Sequence, residues 1–289
     1  MKPSTPPEFL LAWGQNGSGP GDFRFPSGLC VDNSGKVVFV VDHGNNRIQK
    51  FDQDGNFLLT WGETGEGPSQ FHSPMSVAVD NPGKAVYVAD FGNHRIQKFD
   101  QDGNFLLTLG QVGNGPGEFV AAFGVAVDNP GNIYVTDFGN ERVQKFDKNG
   151  NFLLTWGQRG KGPGDFRLPA GIAVDNSGNV YVVDQGNLRV QKFDGNGNFV
   201  LSWGQGGNGP GEFSLPSGVA LDNSGNVYVA DQGNDRIQKF DQDGNFLLSW
   251  GQSGDGQGDF SAPTDVALDN PGNVYVADGL NFRIQKFGR

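Results

Sequence analysis

The sequence predicts an all-β chain folded as a six-bladed β-propeller of four-stranded antiparallel blades. Three observations carry this reading. Glycine fills 47 of 289 positions, well above the usual ~7%, and each interior glycine costs a helix roughly 1 kcal/mol against alanine. The string D-x-G-N-x-R-[IV]-Q-K-F starts at Asp42, Asp90, Asp137, Asp184, Asp231 and Asp278, spaced by 48, 47, 47, 47 and 47 residues, with Leu280 in place of glycine in the last copy. Each interval holds short stretches of aromatic and β-branched residues separated by Asn, Asp and Gly turns. Four-stranded units of ~40–50 residues with apolar groups on both faces are the pattern of propeller blades.

Taken in order, one unit begins with P-S-G-V-A-L-D (Pro216 to Asp222), turns through N-S-G-N and continues as V-Y-V-A-D (Val227 to Asp231). The turn Q-G-N-D leads to R-I-Q-K-F (Arg236 to Phe240), and D-Q-D-G-N leads to F-L-L-S-W (Phe246 to Trp250). Asn, Asp and Gly tolerate the positive φ that such turns need. In the fourth strand Phe57, Leu59 and Trp61 share one face, opposite Leu58 and Thr60, so both faces are expected to be covered. The one-residue excess of the first two units lies between Asp32 and Asp42 and between Asp80 and Asp90, in the first hairpin. The chain opens on a lone fourth strand, 9–13, and closes on a third strand ending at Phe287. One domain over 1–289 is therefore expected, with strand 9–13 completing the blade at 264–287, which removes two sheet edges.

Composition limits the functional classes. The formal charge is −11, so nucleic acid and anionic membrane are repelled over most of the surface. The apolar run Phe9 to Trp13 is too short for a signal core of about 7–15 residues, and no run approaches the ~20 of a spanning helix. The sequence therefore carries no visible address, and its compartment is left open. A soluble monomer is expected. The single cysteine, Cys30, allows no intrachain disulfide.

The repeated string, preceded by G-[VI]-A-[VL]-D-N-[SP]-G-N-[VI]-Y-V, resembles the NHL repeat, and the resemblance runs from Phe9 to Phe287. It implies a six-bladed propeller. For function it implies several alternatives, because NHL propellers include RNA-binding modules, protein-interaction and sensor domains, and a peptide-amidating lyase.

Columns that repeat in every blade read as structure. Asp184 and Arg189 flank a turn, where the carboxylate is expected to accept turn N–H groups and to pair with the guanidinium. Asp52-Gln53-Asp54-Gly55-Asn56 begins like a calcium loop but lacks the later ligands, so a hairpin turn is expected. The G-x-G-P-G runs precede no helix and are not phosphate cradles. The tryptophans Trp13, Trp61, Trp156, Trp203 and Trp250, with Leu109 as the exception, read as inter-blade core.

Columns that vary read as function. The residue after the motif Asp is His43, Phe91, Phe138, Gln185, Gln232 or Gly279. The residue before the Arg is Asn46, His94, Glu141, Leu188, Asp235 or Phe282. These loops and the connections between blades, which include His72, are expected on one face, taken as the binding face. Phe91, Phe138 and Phe282, with Phe123 and Met75, form a candidate aromatic patch around a channel mouth. Asp265 is the one charge in a channel column otherwise Gly28, Ser76, Gly124, Gly171 and Gly218. A lone carboxylate makes no catalytic set. His43, His72 and His94 are weak metal candidates on the same face; no metal or cofactor is expected. Every tyrosine (Tyr87, Tyr134, Tyr181, Tyr228, Tyr275) is a repeated strand residue, which argues against the chemistry of the lyase. The leading expectation is a non-enzymatic module binding a protein, peptide or glycan. RNA binding and a metal-dependent lyase or hydrolase are the alternatives, besides a recently amplified or constructed propeller with no evolved ligand.

Overall fold

The computed structural model describes residues 5–32, 34–80 and 84–288. Six four-stranded sheets form the blades, each meandering from an inner to an outer strand. Blade 1 comprises Pro26–Val31, Val37–Asp42, Arg47–Asp52 and Phe57–Trp61, and blade 2 comprises Ser76–Val79, Ala85–Asp90, Arg95–Asp100 and Phe105–Leu109. Blade 3 comprises Ala122–Val127, Ile133–Asp137, Arg142–Phe146 and Phe152–Trp156, and blade 4 comprises Pro169–Val174, Val180–Asp184, Arg189–Phe193 and Phe199–Trp203. Blade 5 comprises Pro216–Leu221, Val227–Asp231, Arg236–Phe240 and Phe246–Trp250. Blade 6 joins Pro263–Leu268, Val274–Asp278 and Arg283–Gly288 to the N-terminal strand Glu8–Trp13. That strand runs antiparallel to the C-terminal one, from Glu8↔Gly288 to Trp13↔Ile284, so the ring closes as the sequence predicts.

The core lies between blades rather than within them. Phe39, Val41 and Ile48 of blade 1 pack against Val77, Val86, Val88 and Phe99 of blade 2, and five similar clusters complete the circle. The tryptophan column sits in these seams: Trp61 lies 5.7 Å from Phe99 of the next blade. All five indole Nε1 groups are buried without a hydrogen-bond partner, so these rings contribute by area alone.

The connections between blades are more ordered than the sequence suggests. Each doubles back through a short parallel pairing, as in Glu63–Thr64 against Gln70–Phe71 or Asn16 against Phe23. The phenylalanine that ends it (Phe23, Phe71, Phe119, Phe166, Phe213, Phe260) is fully buried. The repeated Asp then ties connection to blade, and here one expectation is corrected. Asp184 makes no side-chain cap to its own turn. Its Oδ1 accepts the N–H of Arg167 in the incoming connection, while Oδ2 accepts from Arg189 Nε (2.7 Å), Asn187 Nδ2 and Gln191 Nε2. Arg189 also donates to the carbonyls of Gly162 and Asp165. The carboxylate serves the neighbouring segment because the turn itself closes as a 3₁₀ helix, Gln185–Asn187, through its own backbone.

The D-x-[DN]-G-N segments are hairpin turns: Asp52 Oδ1 accepts from the N–H groups of Asp54 and Asn56, and Oδ2 accepts from Asn56 Nδ2. The Asn56 bond holds the Asp52 carboxyl below the usual range. The length excess sits in the first hairpin, where Asp32 N–H reaches Val37 but Asp128 N–H reaches Asn132.

Candidate functional site: the channel mouth and its loops

The turns between second and third strands and the connections between blades share one face, because they bond to each other. The Gly44 N–H donates to the Arg24 carbonyl, and the same bond recurs in all six blades, ending with Leu280 to Ser261. The two variable columns therefore lie together on this top face, but their side chains divide into two groups.

One group braces the ring. Asn46 Oδ1, His94 Nδ1 and Asp235 Oδ1 accept the N–H groups of Ser73, Ala121 and Ala262 in the next connection, at 2.7–2.8 Å. His43 Nδ1 and Gln185 Nε2 donate to the carbonyls of Pro74 and Pro216. Glu141 faces Arg159 at 3.6 Å. Leu188 and Phe282 pack half-buried onto inter-blade clusters. The column before the Arg is left-handed in every blade, with φ from 50° at Asp235 to 56° at Glu141 and Leu188. Gln232 is half-buried and His72 is exposed. The three histidines do not converge: among the described residues no group of three His, Cys, Asp or Glu side chains could hold a metal ion.

The second group surrounds the channel. Phe123 stacks on Phe138 with centroids 5.4 Å apart and planes at 17°, and Phe91 meets both edge-on at 6.0 Å. All three are half-buried, and Met75 of blade 2 lines the channel beside Phe123 of blade 3. Phe282 does not join them; it packs against the seam between blades 6 and 1.

The channel is a cavity of about 250 Å³ lined mainly by small and apolar residues of the inner strands. Its glycines answer to close approach: a Cβ on Gly28 would stand 2.6 Å from the Met75 carbonyl oxygen. Where the column departs from glycine, the side chain bridges to a neighbour. Ser76 Oγ accepts the N–H of Val125 at 3.4 Å, and Asp265 Oδ2 accepts the N–H of Leu29 at 3.0 Å. Asp265 Oδ1 takes the N–H of Val266. Burial pushes the Asp265 carboxyl up to about 7, against the two backbone bonds that favour its charged form. Burial and the Asp265 and Asp32 charges raise the nearby Cys30 thiol in turn, so it stays protonated near neutrality.

Sequence reasoning missed the repeated glutamine of R-[IV]-Q-K. Gln49, Gln97, Gln144, Gln191, Gln238 and Gln285 are fully buried. Gln191 Nε2 donates to the Asp165 carbonyl and its Oε1 accepts from Gly164. Its invariance across six copies was the available signal, since a polar residue in an apolar strand needs partners.

Comparison with known proteins agrees with this architecture. The model of the NHL repeat matches residues 23–51, 71–99, 166–193, 213–240 and 260–287. A model described as a 6-bladed beta-propeller matches residues 93–147, which span the blade between. The chain is 51% identical over 47 residues to Protein lin-41 of Caenorhabditis elegans, a stretch covering 16% of this chain and 4% of that protein. It is 45% identical over 49 residues to NHL repeat-containing protein 3 of Homo sapiens, covering 16% and 14% of the two. Both matches span about one blade and a small part of the relative. A structure of a protein of unknown function from Bacteroides thetaiotaomicron superposes with a TM-score of 0.71 at 21% identity, over 96% of this chain and 74% of that one. At that identity the likeness speaks for the fold alone. Six copies of the motif, five NHL matches and six blades closed by the N-terminal strand place this chain in the NHL-repeat family of six-bladed β-propellers.

Proposed function

We propose that this propeller is a non-enzymatic interaction module that takes a protein or peptide segment on its top face, centred on the channel mouth. One observation carries the reading: the aromatic trio Phe91, Phe123 and Phe138 is grouped at the mouth and left half-buried. Other half-exposed phenylalanines, such as Phe57, Phe105, Phe152 and Phe199, sit one per blade on the outer fourth strands and form no such group around the channel. Clustered aromatics on a rigid rim supply contact area at little entropic cost, as at the centre of binding sites. The surrounding loops are rigid, since each is bonded to its neighbour. The channel offers one carboxyl, Asp265, with no base or second carboxylate in its column, which suits binding rather than acid–base turnover. The lin-41 and NHL repeat-containing protein 3 matches support a module built of NHL repeats, and the acidic balance of −11 argues against a nucleic-acid partner.

The test is a selection of peptides from a random display library on immobilised protein. The wild type should enrich a family of sequences, and a variant with Phe91, Phe123 and Phe138 all replaced by Ser should bind them at least about tenfold more weakly while unfolding at a similar midpoint. Equal binding by that variant would move the site off the channel mouth.

A further inference from the structure

The channel mouth is asymmetric in a way that defines a ligand. Asp265 belongs to blade 6, and Phe123 belongs to blade 3, which stands directly across the six-bladed ring. In the aligned inner strands, Pro263↔Asp278 matches Ala122↔Asp137, so Gly124 is the counterpart of Asp265 and Phe123 lies one residue above it. Both residues line the same cavity, as does Met75. A carboxylate therefore shares a small channel, whose lining also includes Ser27, Ser76, Ser217 and Thr264, with an aromatic and a thioether residue from the far side of the ring.

The carboxylate has acceptor capacity to spare. Each of its oxygens takes one backbone N–H, from Leu29 and from Val266, while an ionised carboxylate offers about four acceptor sites. Among the described residues no Lys, Arg or His forms a salt bridge with it, and the Cys30 thiol beside it is held neutral. A half-buried carboxylate without a cation has lost part of its hydration uncompensated, and a ligand that brings a cation offsets that loss. A single carboxylate suits a monovalent donor rather than a divalent ion, which draws on several oxygens. An ammonium group supplies up to three N–H donors, and an apolar stem attached to it would lie on Phe123 and Met75. The cavity of about 250 Å³ suits a stem of a few carbons or one ring.

We infer that the channel mouth binds a primary ammonium on an apolar stem, with the ammonium on Asp265 and the stem against Phe123 and Met75. A lysine side chain of a bound peptide and a free alkyl- or arylalkylamine present this same chemistry. The lysine source rests on the top-face reading above, whereas the ammonium site stands without it. Below about pH 7 the carboxyl takes up a proton and the attraction is lost, so affinity falls as pH drops.

The test uses calorimetric titration of the full chain at about pH 8.5, where the probe amine is still protonated. The probes are 2-phenylethylammonium and the neutral 2-phenylethanol, then a capped peptide with one lysine and its norleucine counterpart. The ammonium should bind at least about tenfold tighter than the alcohol, as a charge-assisted bond implies. Asp265→Asn should abolish that preference, and Phe123→Leu should weaken both probes. Asp265→Ser, which mimics Ser76 of blade 2, guards against a folding defect of the Asn variant. Preference for lysine over norleucine assigns the peptide source, and preference confined to the free amine assigns a small-molecule source; both support the site. Equal binding of ammonium and alcohol, no binding of either, or a preference that survives Asp265→Asn overturns it. Loss of library peptides from the Phe triple variant is read separately, so a failed ammonium site and a failed top face remain distinguishable.

Discussion

Ser69 offers a clean measure of backbone strain. In five blades the last glycine of G-x-G-[PQ]-G takes φ between 78° and 82°, at Gly21, Gly117, Gly164, Gly211 and Gly258. In blade 2 the position is Ser69, with φ of 62°. Its N–H donates to Gln97 Oε1 at 3.0 Å, as Gly21 does to Gln49 Oε1 at 2.9 Å, so the hydrogen bonding is the same. A Cβ on Gly21 meets nothing within 4 Å, so contact terms are small. What remains is conformational. A left-handed L-residue costs about 1–2 kcal/mol, and glycine gives back about 0.4–1 kcal/mol through its freer unfolded chain. Ser69→Gly should therefore stabilise by about 0.5–1 kcal/mol. The reverse change at all five glycines should cost about 2.5–5 kcal/mol, because sites on separate blades add. Equilibrium urea unfolding at constant m reads both. A destabilised Ser69→Gly variant, or a five-serine variant within about 1 kcal/mol of the parent, would refute the argument.

Three further outcomes are expected. Asp184→Ala strips four donors of their acceptor and should cost about 3–5 kcal/mol in urea unfolding; a loss under about 1 kcal/mol would show that the network is not what joins connection to blade. Asp265 has its folded carboxyl raised to about 7, above the ~3.9 of an unfolded chain, so the folded state holds a proton the unfolded state has released. Stability should then fall as pH rises through about 4–7 and level off above, and Asp265→Asn should flatten the wild-type pH profile by a few kcal/mol at most; parallel profiles would contradict it. Trp156→Phe removes a buried N–H that has no partner, so it should cost under about 2 kcal/mol in the same assay, less than Phe193→Ala at about 3–5 kcal/mol.

The blade was legible because its signals are local. Glycine and Asn-Gly turns, alternating strands and a fixed period each state a backbone requirement at one place in the chain, and the terminal half-blades state the closure. The site was less legible because variation was read as exposure. Asn46, His94 and Asp235 differ in sequence yet do one job, since an amide oxygen, an imidazole nitrogen and a carboxylate oxygen can each accept the same N–H. Leu188 and Phe282 are not exposed either, since each packs half-buried onto an inter-blade cluster. The left-handed backbone under this column was hidden because no glycine marks it. Asp265 was visible as the exception to a small-residue column. That it shares a cavity with Phe123 was not, since this depends on which blades stand opposite.

The antiparallel closure also sets how the ring responds to tension. Glu8 and Gly288 lie opposite each other at one end of the same strand pair. A pull on those two residues loads the pair like a zipper, breaking hydrogen bonds one after another instead of shearing them together. Blade 6 is then the first to open under force, and the remaining seams would be exposed in order from that edge. A tether at the two ends would make the disc a low-force mechanical release, whereas a tether across any other blade would load continuous chain.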